Sequence, residues 1–269
     1  MASEAGHPFT LAPSQRSEEG FLVHRLESEF QSQSTEIRVL LPDAIEPTRR
    51  YRVIYVLPVE VGTESRWGDG LAELKRLDVH NRHHLICVAP TFAQLPWYCD
   101  HPEDSGCRQE SHFVRAVVPA IEISYPAKAK RAGRLLLGFS KSGWGALSLL
   151  LRHPEQFERA AAWDAPLMLD RPGRYGSGPI FATPENFANY QLTRLAQECC
   201  ASFQHDRQRI NLLGYGNFRA EHQAFHAFLE QQSVAHVNRD GPPRKHHWNS
   251  GWLDEAVELL VAEPQAAID

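Results

Sequence analysis

The stretch "LLLGFSKSGWGALSLLLRHP", residues 135–154, restricts the fold more than any other part of this chain. It runs apolar, turns through Gly138, Ser140, Ser142 and Gly143, and becomes apolar again at helical spacing. A buried strand that passes through so short a turn into a helix is the start of a crossover between parallel strands. The central residue of such a turn is forced into a strained conformation, and the residues two positions to either side must be small. Gly138 and Ser142 meet that demand, which leaves Ser140 at the tip with the amides of the helix N-terminus behind it. The strict G-x-S-x-G pattern ends in glycine, whereas here Ser142 takes that place and Gly143 follows. Ser142 therefore reads as a small packing residue rather than a second nucleophile. A turn whose glycine and serines only fit and cap is the plainer alternative to a nucleophilic Ser140.

The same alternation extends along the chain. "FLVHRLES" and "STEIRVLLP" alternate with polar residues, as an antiparallel edge pair does, while "YRVIYVLP" and "HLICVAPTF" are continuously apolar, as strands buried on both faces are. "GLAELKRLDVH", "ESHFVRAVVPAIEI", "NFANYQLTRLAQECCASF", "AEHQAFHAFLEQQ" and "GWLDEAVELLVA" carry helical spacing, and "RAAAWDAPL", "RINLLGYG" and "AHVNRDG" read as further strands. The expected fold class is α/β: a mostly parallel sheet, helices on both faces, and an antiparallel N-terminal edge. With 269 residues, 42% of them hydrophobic, the chain can bury one large core. Residues 21–269 are expected to form a single domain behind a flexible tail, 1–20. The Gly- and Pro-rich stretch within 168–205 is expected to form a small cap.

Charge and composition exclude several partners. The formal net charge is -5, and no Lys/Arg run is interleaved with aromatics, so nucleic acid is not an expected partner. Residues 1–20 hold no apolar run fit for a signal peptide, and no later stretch reaches the roughly 18 apolar residues of a membrane span. A cytoplasmic chain with no membrane partner is the expectation. The five cysteines include Cys199 beside Cys200, and Cys99 with Cys107 in one polar loop. Their odd number favours reduced thiols, with a Cys99–Cys107 disulfide as the lesser alternative. Neither pair has CxxC spacing, and His80, His83 and His84 read as a solvated helix end, so no metal or cofactor is expected.

A serine nucleophile needs a base, which in this fold class lies after the last strand. "RKHHWNSGW", residues 244–252, supplies two histidines there. Among 14 histidines a match of residue type is cheap, but the position is informative. For the triad's acid the residues leave two candidates. Asp164 ends the strand after the elbow helix, with Pro166 stiffening the exit, and Glu221 would reach back from the start of a later helix. A short carboxylate on a rigid strand tip needs less ordering, which favours Asp164.

Through these motifs, and through "VIYVLPVEVG" and "PWYCDHPEDSGCRQESHFVRAVVPAIEISYP", nearly the whole chain resembles the esterase D-like, or putative esterase, branch of the α/β-hydrolases. That branch includes S-formylglutathione hydrolases, feruloyl esterases and mycolyltransferases. The resemblance implies an α/β-hydrolase fold and a serine hydrolase that cleaves carboxylic esters of small molecules through an acyl-enzyme on Ser140. Transfer of the acyl group to a sugar or alcohol is a variant, and a non-catalytic binding protein of the same fold is the alternative. The family's H-x-W motif fits His246, His247 and Trp248 and implies His246 as base, with His247 the alternative. The family's oxyanion hole corresponds to the backbone N–H groups of Lys141 and Glu60. Where relatives carry a histidine-glycine or aspartate-glycine pair after the third strand, this chain has Pro58 and Val59, and Pro58 has no N–H to donate. Trp97, Tyr98, Trp144, Trp163 and Trp248 fall near predicted strand ends, where they either line a pocket or pack beneath it. The individual ester and the oligomeric state are not legible in these residues.

Overall fold

The computed structural model describes residues 6–62, 66–204, 208–214 and 216–263. Its strands are β1 (Phe9–Leu11), β2 (Gln15–Arg16), β3 (Leu22–Ser28), β4 (Thr35–Leu40), β5 (Arg52–Val56), β6 (Leu85–Pro90), β7 (Arg134–Phe139), β8 (Arg159–Trp163), β9 (Ile210–Leu213) and β10 (Val237–Arg239). They form one sheet in the order β1-β3-β4-β6-β5-β7-β8-β9-β10, with β2 beside β3. The pairs from β1 to β6 are antiparallel, and those from β6 through β5 to β10 are parallel. This is the mostly parallel sheet with an antiparallel N-terminal edge that the hydrophobic pattern predicts.

The helices are α1 (Gly70–Arg76), α2 (Val79–Arg82), α3 (Gln109–His112), α4 (Val118–Ser124), α5 (Lys141–Arg152), α6 (Gly178–Phe181), α7 (Pro184–Ala188), α8 (Leu192–Glu198), α9 (Arg219–Gln231) and α10 (Trp252–Val261). Side chains alternate across the central strands, and each face buries its own set. Val53, Tyr55, Leu136, Ala160 and Leu212 pack with Trp144 and Leu147 of α5 and Phe225 of α9. Ile54, Val56, Leu135, Leu137 and Trp163 pack on the opposite face with Leu71 and Leu74 of α1 and Leu253 and Val257 of α10.

Three local expectations differ from the structure. Residues 6–20 of the expected flexible tail are tied to the sheet, because β1 and β2 each pair antiparallel with β3; residues 1–5 lie outside the described residues. The helix expected over 110–123 holds a π-helical stretch, Phe113–Val117, just before Pro119, which has no N–H for the ordinary helical ladder. The single helix expected over 186–203 breaks between α7 and α8, since Tyr190 turns inward. Its hydroxyl donates to Glu110 Oε2 at 2.9 Å and accepts from the Asp100 N–H at 3.0 Å. A long-range bond thus overrides local helical preference. All five cysteines are free thiols, Cys99 and Cys107 included. Among the described residues, no helix is long and apolar enough to cross a membrane.

Helix α5 lies unusually close to the segment after β6. Gly145 faces the buried Tyr98, and a Cβ at 145 would overlap the Tyr98 ring. Helix propensity alone makes Gly145→Ala stabilising by up to about 1 kcal/mol. The enclosed ring, however, makes the added methyl an overpacking defect costing about 1–3 kcal/mol. Equilibrium urea unfolding of Gly145→Ala should therefore show a net loss of stability.

Candidate active site

Three neighbouring strands end in one row. Phe139 of β7 pairs with Trp163 of β8, which pairs with Leu213 of β9. The next residues, Ser140, Asp164 and Gly214, consequently stand side by side at the C-terminal edge of the sheet. The Ser140 N–H donates to the Trp163 carbonyl at 3.1 Å, and the Asp164 N–H donates to the Gly214 carbonyl at 3.3 Å. Ser140 has φ 55 and ψ -129, and Asp164 has φ 43, conformations that are costly for residues with a Cβ. The elbow is locked around Ser140: a Cβ on Gly138 would overlap the Ser142 carbonyl. The buried Ser142 hydroxyl donates to the Phe139 carbonyl at 2.9 Å and accepts from the Phe139 N–H at 3.0 Å. Ser142 replaces the motif's glycine by folding its side chain back onto the turn.

The loop after β10 brings His246 over this row. Its Nε2 lies 3.1 Å from Ser140 Oγ and its Nδ1 2.5 Å from Asp164 Oδ2. The ring is fixed by Phe139, Trp67 and Phe218, whose centroids lie 4.5, 4.9 and 5.8 Å away. Asp164 Oδ1 accepts from the backbone N–H groups of Gly216 at 3.0 Å and Phe218 at 2.9 Å. Burial works to raise the Asp164 pKa, but the His246 bond and the two N–H donors outweigh it and hold the carboxyl below its usual range. Beside it, the Ala165 N–H donates to His222 Nε2 at 2.9 Å, and burial pushes the His222 imidazole down to about 4. A neutral His222 thus braces the strand end that carries Asp164.

The two sequence alternatives are placed elsewhere. Glu221 Oε2 accepts from the Met168 N–H at 3.0 Å, and burial raises its pKa. His247 Nδ1 accepts from the Asn249 N–H at 3.2 Å, and its ring lies against Gly68. Neither stands in the Ser140–His246–Asp164 chain.

A cavity of about 430 Å³ opens at Ser140 and His246, lined also by Glu60, Arg66, Trp67, Lys141, Tyr175, Asn217 and Phe218. Glu60 and Lys141 are in its wall, and Lys141 Nζ lies 4.0 Å from Glu60 Oε1. Burial lowers the Lys141 pKa, with Glu60 opposing the shift and Arg66 reinforcing it. Pro58 has its carbonyl engaged by the Tyr98 hydroxyl at 2.5 Å, which fixes the approach to Glu60.

The expected pocket aromatics are corrected by burial. Trp97, Tyr98 and Trp144 are 0% exposed and Trp248 is 2% exposed, and none of them borders this cavity. Trp97 stacks edge-on with Trp144, and Trp248 with Phe139 and Trp163, so all four are core. The walls come instead from Trp67, Tyr175 and Phe218, residues in irregular segments whose sequence carries no periodic signal. The one available cue was position, since Phe218 follows β9 and Tyr175 lies in the Gly- and Pro-rich stretch.

Comparison with known proteins bears on the fold and the family. The family model described as "Putative esterase" matches residues 28–246. No curated protein sequence matches closely enough to count as a relative. Among solved structures, the fluorophosphonate-binding serine hydrolase F of Staphylococcus aureus superposes with a TM-score of 0.72 at 15% identity, covering 94% of this chain and 100% of the other. An S-formylglutathione hydrolase from Agrobacterium tumefaciens gives 0.68 at 14% identity, covering 93% and 99%. A ferulic acid esterase from the anaerobic fungus Anaeromyces mucronatus gives 0.62 at 16% identity, covering 97% and 93%. At these identities the likeness is one of fold, the α/β-hydrolase fold; the family match, which spans most of the sequence, shows that the chain belongs to the putative esterase family.

Proposed function

We propose that this esterase cleaves small-molecule carboxylic esters with Ser140 as nucleophile, His246 as base and Asp164 as the acid that orients it. The observation that carries the reading is the continuous chain from Ser140 Oγ through His246 to Asp164 at the floor of an open cavity. Ser140 Oγ attacks the acyl carbon while His246 Nε2 takes its proton. The tetrahedral intermediate collapses as His246 protonates the departing alcohol, leaving an acyl group on Ser140. Water, deprotonated by His246, then releases the carboxylic acid. Asp164 stays ionised throughout, holding the imidazole tautomer and stabilising the imidazolium.

The backbone N–H groups of Lys141 and Glu60 are the donors we assign to the oxyanion. Lys141 stands in the first turn of α5, where N–H groups have no helical acceptor and the helix dipole favours negative charge. Trp67, Tyr175 and Phe218 form apolar, aromatic walls, which suit a planar or apolar group beside the scissile bond. Residues 168–204, the described part of the expected cap segment, act as the cap of this hydrolase domain, contributing Tyr175 to the cavity.

A fluorophosphonate probe should label the folded protein once, and peptide mapping should find the label on Ser140. Absence of label, or label that survives Ser140→Ala, removes the nucleophile assignment.

Against an activated aryl ester, His246→Ala should lower turnover by a factor on the order of 10³ or more, and folded Asp164→Asn by roughly 10³ to 10⁴. His247→Ala and Glu221→Gln should stay near the native rate. The reverse ranking within either pair transfers that role to the other residue.

The Asp164 pKa is lower in the folded chain than in the unfolded one, so its ionised form stabilises the fold. That contribution is complete above the unfolded value of about 3.9 and disappears as pH falls through the lower folded value. The stability gap between the native protein and Asp164→Asn should be constant near about pH 6 and shrink toward about pH 3. A gap that widens on acidification contradicts the assignment of an ionised, multiply bonded Asp164.

A further inference from the structure

At the far end of α9 from the cavity, three side chains outside the proposed mechanism converge. His226 and Glu230, one helical turn apart, share a face of α9, and His236 faces them from the segment leading into β10. Their ligating atoms all lie within 4.8 Å of one another. His226 Nδ1 is 2.7 Å from His236 Nε2, and His236 Nε2 is 3.8 Å from Glu230 Oε1.

We propose that His226, Glu230 and His236 form a binding site for one first-row divalent transition-metal ion, best suited to Zn²⁺.

The orientation of His236 supports this. Its Nδ1 donates to the Val234 carbonyl at 2.8 Å, so in the neutral ring Nε2 carries the lone pair and points at the other two ligands. Metal-binding histidines are usually held in this way, by a backbone or carboxylate acceptor on the ring nitrogen that does not bind the ion. The segment carrying His236 is itself fixed. The Val234 N–H donates to the Leu229 carbonyl at 2.9 Å, the Ala235 N–H to the Phe203 carbonyl at 3.0 Å, and the Ser233 N–H to the Glu230 carbonyl at 3.1 Å. The buried His236 therefore meets α9 in one arrangement set by the fold.

The donor set selects the ion. Two imidazole nitrogens and one carboxylate oxygen suit Zn²⁺, Co²⁺, Ni²⁺ or Cu²⁺, whereas Mg²⁺ and Ca²⁺ prefer oxygen alone. With metal–nitrogen bonds of about 2.0–2.1 Å, two donors on a tetrahedral ion stand about 3.3 Å apart. The observed 2.7 and 3.8 Å straddle that spacing and the third pair lies within 4.8 Å, so side-chain shifts of up to about 1.5 Å, within reach of an exposed glutamate, complete the site. On binding, His226 carries its proton on Nε2 and offers Nδ1 as ligand. Glu230 is exposed, which leaves a fourth position open to water. The ion would clip the end of α9 to the approach of β10, remote from Ser140.

The test uses the full-length protein stripped with a chelator and titrated with ZnCl₂ by calorimetry, with MgCl₂ as control. One equivalent of Zn²⁺ should bind and Mg²⁺ should not. At Zn²⁺ about a hundredfold above Kd, Tm should rise by about 5–10 °C. CoCl₂ should produce visible d–d absorption. His226→Ala, and the conservative Glu230→Gln on the exposed helix face, should weaken Zn²⁺ uptake by a factor on the order of ten or more. Both variants should keep the native rate of ester hydrolysis in metal-free buffer. His246→Ala should bind Zn²⁺ as the native protein does, which separates this site from any ion held at the proposed catalytic histidine. A native chain that takes up no stoichiometric Zn²⁺, or a His226→Ala variant whose uptake and Tm rise are undiminished, overturns the proposal.

Discussion

The Asp164 carboxylate joins segments of the site that share no secondary structure. One oxygen holds the backbone of Gly216 and Phe218 after β9, and the other holds His246 from the loop after β10. The carboxylate stands at the end of β8, one strand away from Ser140. A neutral side chain could accept some of these bonds, but only an ionised one rewards all of them together in so buried a place. The strained φ of Asp164 is sustained by this set of partners and by His222, which braces the next residue.

Because Phe218 is tied to Asp164, the wall of the cavity and the orientation of His246 are parts of one arrangement. The Phe218 N–H bonds the carboxylate, while its ring touches the imidazole and lines the cavity. Helix α9 starts at the next residue and carries the constraint away from the sheet edge to His226 and Glu230. One helix thus has the Ser140 cavity at its start and a histidine-rich cluster toward its end.

Four of the five aromatics that sequence position placed near strand ends serve a different purpose. Trp97, Tyr98 and Trp144 fill the space where α5 approaches the segment after β6, and Trp248 fills the other face beneath His246. Large rigid side chains in those places pack the elbow helix and the histidine loop against the sheet. Tyr98 also reaches the Pro58 carbonyl and so holds the chain leading to Glu60.

Hydrophobic period, small residues and chain order determined the strands, the helices, the turn at Ser140 and the place of His246, since each is set by neighbours a few residues apart. The same local logic favours Asp164 over Glu221 as the expected acid, because a strand tip is rigid whatever surrounds it. Tertiary structure alone decided the rest. Strand register aligned Ser140 with Asp164, and a bond from Tyr190 to Glu110 broke a helix that local spacing favoured. Burial separated the core tryptophans from the cavity walls, and the turn after α9 set His236 against His226 across ten residues. Those outcomes depend on side chains distant in sequence competing for the same space and the same hydrogen bonds, and no periodicity within one segment encodes that competition.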